Sequence, residues 1–233
     1  MKRHLTASLL FSPWAHRLGS RAQALTVQER LIGGCLAGLL VGVISALVFL
    51  LTSMLLSARL ALVAALTSAL VIDLMAMQSR RFLESRDPRL TPLSALSLGV
   101  MLMAKIELLS DIDPEWIGVI LICSAGWARS AALTARAEPL LDCRPASATT
   151  RAVGLVIGAI PLLIFALWPE PIWGLWLAAA LSLWCARLLA PRTWAAPITV
   201  RWMASEMVYC LCVLALMSAA AVAEISIEEA PGS

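Results

Sequence analysis

The chain has 233 residues, of which 61% are hydrophobic and 14% charged, and its formal net charge is +3. Soluble domains are about half apolar and a quarter charged, so this composition, with a mean hydropathy of +0.86, indicates a membrane protein. No basic block is interleaved with aromatic residues, so we do not expect nucleic acid as a partner.

Charge divides the chain into three parts. Residues 1–30 begin MKRHLTASLLF and carry Arg17 and Arg21 after a short apolar stretch, so we expect an uncleaved basic cytosolic arm rather than a signal peptide. Residues 31–223 form the predicted transmembrane helical domain. Residues 224–233 form a short acidic tail.

The apolar segments predict an all-α fold, a polytopic bundle of about seven transmembrane helices. The run 31–58 is uncharged and exceeds the length of about 20 residues that a span needs. Its GCLAG and GLLVG patterns indicate close helix contact, or simply the abundance of glycine in membrane helices. We place the spans near 31–51, 59–77, 91–110, 116–135, 152–168, 171–189 and 206–223.

The loop charges predict the orientation of these spans. Basic residues mark the cytoplasmic side of a membrane protein. They fall in the arm and in every second loop, with Arg59 alone on the other side beside the acidic segments DIDPE and WPEP. The N-terminus is therefore predicted to be cytosolic and the C-terminus to lie outside.

Five ionisable residues fall within or at the edge of the predicted spans: Asp73, Lys105, Glu107, Arg129 and Glu206. Each costs about 2.5–3.5 kcal/mol at mid-membrane, so each should face protein or a water-filled cavity. Lys105 and Glu107 are about 200° apart around a helix and cannot pair, so at least one needs a partner on another helix. A buried ion pair and a lysine that snorkels to the interface both remain open.

The predicted topology places several charged side chains on the cytosolic side. Carboxylates and arginines together suit a magnesium–phosphate ligand, in which the acids hold the metal and the arginines bind phosphate oxygens. The alternative is a solvated positive-inside loop with incidental ion pairs. The residues that we expect to converge are Asp73, Glu84, Arg86, Asp87, Arg89, Arg129 and Glu206.

The order of three segments resembles the cobalamin synthase family (adenosylcobinamide-GDP ribazoletransferase). Arg86-Asp87-Pro88-Arg89-Leu90 precedes an apolar helix with Ala104-Lys105-Ile106 at its centre. GLLVGVISALVFLL is similar to the glycine-rich first span of the family. SEMVYCLCVLALM is similar to its last helix, with Glu206 on the family's glutamate. The resemblance covers roughly residues 30–220.

The resemblance implies a magnesium-dependent transfer in a bacterial inner membrane. α-Ribazole or its phosphate would attack GDP-activated adenosylcobinamide at phosphorus, with GMP as the leaving group; an oligomer is left open. Asp73, Asp87 and Lys105 would be catalytic, and Asp73 and Asp87 would bind Mg²⁺. The substrate-binding residues would be Arg86, Arg89, Arg129 and Glu206.

The chain also departs from the family pattern. Where members carry His-x-Asp-Gly-x-x-Asp-x-x-Asp-Gly, it reads ALVIDLMAMQSRRFLES, which keeps Asp73 alone. The late Thr-Gly-Asp segment is replaced by PRTWAAPITVRW. Two interpretations follow: a variant of the transferase, or a non-catalytic membrane protein on the same scaffold that serves as an assembly partner or small-molecule carrier.

Overall fold

The computed structural model describes residues 7–9, 12, 25–81, 92–134, 147–165, 173–193 and 202–216. The predicted all-α class is confirmed, because these ranges contain helices and turns and no strand. After a single helical turn at 7–9, the elements are α1 Val27–Ser53, α2 Ala58–Arg81, α3 Pro92–Ser110, α4 Pro114–Thr134, α5 Ala148–Phe165, α6 Trp173–Thr193 and α7 Trp202–Leu216.

Each predicted span overlaps one of these helices, but several helices begin earlier than predicted. Helix α1 begins at Val27, four residues before its predicted span, because Thr26 and Glu29 form a capping box. The Thr26 hydroxyl accepts from the Glu29 amide at 3.2 Å, and the Glu29 carboxylate accepts from the Thr26 amide at 2.9 Å. The predicted spans were bounded by charged residues. A helix can extend beyond its apolar stretch into charged residues, as α1 does at Glu29 and Arg30.

Among the described residues, three helical stretches are long and apolar enough to cross a membrane: Gln28–Ser53, Ala58–Ala76 and Pro114–Thr134. Three shorter apolar stretches in the same ranges lie in α5, α6 and α7. Along α1 the large side chains of Leu40, Ile44, Leu47 and Leu51 are exposed. An outward apolar surface of this kind is typical of a helix that faces lipid.

Helix α4 is the centre of the bundle. Fourteen of its 21 residues are buried, and it packs against α1, α5 and α6. Helix α1 also contacts α2 and α5, and α2 contacts α3. The indole Nε1 of Trp127 donates to the carbonyl of Ala179 at 2.9 Å and lies 3.0 Å from the Ser182 hydroxyl, which joins α4 to α6 within the core.

Glycines bring α1 close to α4. A Cβ atom on Gly38 would lie 2.9 Å from Cδ of Arg129, and one on Gly42 would lie 3.0 Å from Cα of Ile122. A side chain at either position would push the helices apart, as expected for small residues at a membrane helix interface. The interpretation of GLLVG as a close-contact motif is therefore confirmed. Because Gly38 has no side chain, the side chain of Arg129 fits against α1 at this position.

Candidate functional site: a buried charged quartet

Four charged residues from four helices meet inside the bundle: Asp73 of α2, Lys105 of α3, Arg129 of α4 and Glu206 of α7. Lys105 Nζ donates to Glu206 Oε2 at 2.6 Å. Arg129 Nη2 donates to Asp73 Oδ2 at 2.6 Å. Arg129 Nε lies 3.9 Å from Glu206 Oε1, which brings the two pairs together. We call these four residues the charged quartet.

The guanidinium of Arg129 is held on several sides. Nη1 lies 3.4 Å from the carbonyl oxygen of Ala37 on α1, the outer limit of a hydrogen bond. The guanidinium carbon lies 4.9 Å from the ring centroid of Trp202 on α7, within the range of a cation–π contact. Asp73 on α2 accepts the bond from Nη2. Arg129, which belongs to α4, therefore contacts residues of α1, α2 and α7. The side chain is only 1% exposed.

The quartet is electrically neutral, since it holds two carboxylates and two cations. None of its members is more than 7% exposed. A buried charge without a counter-charge destabilises a protein strongly, whereas buried ion pairs add little stability compared with apolar packing. Charged residues kept in such a place are functional candidates, with their partners identified by the contacts above.

The described residues do not fit a magnesium ion. No group of three His, Cys, Asp or Glu side chains that could hold a metal occurs within the ranges given above. One oxygen of Asp73 binds Arg129 and one of Glu206 binds Lys105. Mg²⁺ requires several oxygen ligands, and here it would lie beside a guanidinium. The predicted second ligand, Asp87, lies outside the described residues, so that metal site stays a prediction.

The structure brings together four of the seven predicted site residues: Asp73, Lys105, Arg129 and Glu206. Arg86, Asp87 and Arg89, together with Glu84, lie outside the described residues. The sequence did not identify Trp202, although it precedes Glu206 by one helical turn and so lies on the same face of α7. Nor did it identify Ala37, which contributes only its backbone carbonyl.

Glu107 lies apart from the quartet. Its carboxylate pairs with Arg59 at the beginning of α2, and the side chains of Arg59 and Glu107 are 63% and 60% exposed. The prediction that Lys105 and Glu107 do not pair, and that at least one of them has a partner on another helix, is confirmed, because Glu107 pairs with α2 and Lys105 with α7. Lys105 makes a buried interhelical ion pair rather than snorkelling to the interface.

No protein-family model, curated protein or solved structure matches this chain. The similarity to the cobalamin synthase family therefore stays an interpretation of the sequence motifs.

Proposed function

We propose that the chain is an integral membrane transferase of the cobalamin synthase type, with the charged quartet at its site. One observation supports this most: residues singled out by the family motifs, on helices far apart in the sequence, meet in one buried cluster. Lys105 and Glu206 bond to each other although 101 positions separate them. They come from the Ala104-Lys105-Ile106 motif and from the last helix, the two segments that carry much of the resemblance.

The proposed topology has all seven helices crossing a bacterial inner membrane, with the N-terminus in the cytosol. The turn between α3 and α4 supports it, because Asp111 and Asp113 are exposed there and no basic residue accompanies them. Arg59 lies in the first turn of α2 and pairs with Glu107 near the end of α3. The beginning of α2 and the end of α3 therefore lie together. The connection 82–91, at the opposite ends of α2 and α3, carries two arginines and follows two more at the end of α2, and the positive-inside rule places such arginines in the cytosol.

In this proposal the quartet positions the substrates by fixing the helices around the site. Lys105 and Glu206 fix α3 against α7, and Asp73 and Arg129 fix α2 against α4. Arg86 and Arg89 would bind the phosphates of adenosylcobinamide-GDP, since arginine binds phosphate oxygens in a bidentate manner. A hydroxyl oxygen of α-ribazole forms the new bond to phosphorus and gives its proton to solvent water, while the phosphoanhydride bond breaks and GMP leaves with the electron pair of that bond.

The proposal is tested by GMP release from purified protein in nanodiscs, supplied with adenosylcobinamide-GDP, α-ribazole and Mg²⁺. We expect release by the wild type and a loss on the order of 100-fold in Glu206→Gln, as for a misplaced substrate. Glu107→Gln is the matched control, because Glu107 is exposed and outside the quartet. Folded wild-type protein that releases no GMP would contradict the transferase.

A second candidate is a non-catalytic membrane protein, an assembly partner or small-molecule carrier on the same scaffold. The observation that favours it is the internal charge balance of the quartet, in which each carboxylate already binds a cation. Such a cluster specifies how α2, α3, α4 and α7 pack together, without turnover. The same assay separates the two functions, because the second candidate predicts a folded protein with no GMP release.

A further inference from the structure

One donor and one acceptor in the quartet face each other without bonding. Arg129 Nε and Glu206 Oε1 are 3.9 Å apart, beyond the range of about 2.7–3.2 Å for an N–H···O hydrogen bond. Nε is buried and has no hydrogen-bond partner within the part of the chain that the structure describes. The other oxygen of Glu206 binds Lys105 and the other nitrogens of Arg129 point to Asp73 and Ala37.

The chemistry of this gap selects its occupant. An atom placed there must accept a hydrogen bond from Nε and can donate one to Oε1. Hydroxyl and water oxygens do both. A metal cation would be repelled by the charge of Arg129, and a phosphate or other anion would be repelled by the charge of Glu206. Both repulsions are strong because the charges are close and the site is buried.

We propose that the gap between Arg129 Nε and Glu206 Oε1 binds one neutral hydroxyl oxygen, supplied by a water molecule or by an alcohol group of a small ligand. When two polar groups face each other at more than about 3.5 Å, an ordered oxygen commonly bridges them. Buried water typically satisfies polar groups that the protein leaves unbonded. The ring of Trp202 lies against the guanidinium, with its centroid 4.9 Å from the guanidinium carbon. The site does not depend on whether the chain is an enzyme.

The test is a high-resolution structure of the full chain in a lipid environment, from crystals grown with and without MnCl₂ and with and without glycerol as an alcohol probe. We expect one peak within hydrogen-bond distance of both atoms and no anomalous manganese signal there. A peak unchanged by glycerol identifies water, and a peak that becomes continuous with glycerol density identifies an alcohol. A manganese signal in the gap, or a direct Arg129–Glu206 bond with no peak, would overturn the proposal.

A variant removes the acceptor without leaving a charge unpaired. In Lys105→Met/Glu206→Leu both members of one ion pair become apolar, so an oxygen in the gap loses Glu206, one of the two polar groups that define the gap. Because a buried water needs two to four polar partners, we expect the peak to disappear. Arg59→Gln/Glu107→Gln, which removes the exposed pair, should keep it. A peak of undiminished height in Lys105→Met/Glu206→Leu would refute the role of Glu206.

Discussion

Lys105 on α3 and Glu206 on α7 form a buried ion pair of 2.6 Å between helices that are distant in sequence. The second oxygen of Glu206 faces Arg129, which binds Asp73, so one connected polar unit spans four helices. Each of these charges is costly in a helix that lies alone in lipid. Their compensation therefore requires that α2, α3, α4 and α7 are already packed together.

The exposed pair Arg59–Glu107 should contribute little to stability. Both side chains are more than half exposed, and surface ion pairs are typically worth about 0.2–1 kcal/mol. We expect the coupling energy between Arg59→Gln and Glu107→Gln, measured from thermal unfolding in detergent, to stay within that range and to fall with added salt. A larger coupling that is insensitive to salt would show that this pair is buried in the folded protein.

Gly38→Ala should destabilise the bundle. The new methyl group would lie 2.9 Å from Cδ of Arg129, so α1 and α4 must separate or the arginine must move, at a cost of about 1–3 kcal/mol. Gly99→Ala is the matched control, because no atom lies within 4 Å of its added Cβ. That change should be neutral or stabilise the helix by up to about 1 kcal/mol. Equal unfolding temperatures for the two variants would contradict the close contact.

Reporter fusions should reveal the orientation of the bundle. Alkaline phosphatase, which is active only outside the cytosol, should be active when fused after Ser57 or Ile112. It should be inactive when fused after Arg89 or Ala146, because these positions lie in connections that carry two arginines each, and the positive-inside rule retains such arginines in the cytosol. Fluorescent protein fusions should give the inverse pattern. Phosphatase activity from the fusion at Ala146 would refute the seven-span topology.

Hydropathy and charge spacing predicted the helices and the need for partners, but not the partners themselves. Apolar runs set the approximate helix ends, and the two-residue spacing of Lys105 and Glu107 excluded a pair between them. The choice of Glu206 for Lys105, and of Asp73 for Arg129, depends on how helices rotate and pack against one another. That information lies in contacts such as Gly38 against Arg129, which the linear pattern leaves open.

The backbone and aromatic contacts of Arg129 were hidden for a different reason. Ala37 contributes a carbonyl oxygen, which every residue possesses, so its identity carries no signal. Trp202 lies one turn before Glu206, a spacing that places both on one face of α7, yet its link to Arg129 requires the position of α4. The position of Lys105 and Glu206 in or beside apolar runs marked both as charges that should face protein, and the structure pairs them with each other.

The central claim, that the charged quartet is one buried, neutral unit, is tested most directly by a double-mutant cycle on Lys105 and Glu206. The free energy of unfolding in detergent would be measured for Lys105→Met, Glu206→Leu and the double variant. Each single change leaves a buried charge uncompensated, so we expect a loss of about 3–5 kcal/mol for each. The double variant should lose less than the sum of the two single losses, by a coupling energy of about 1–3 kcal/mol. Strictly additive losses, or single variants as stable as the wild type, would contradict the account.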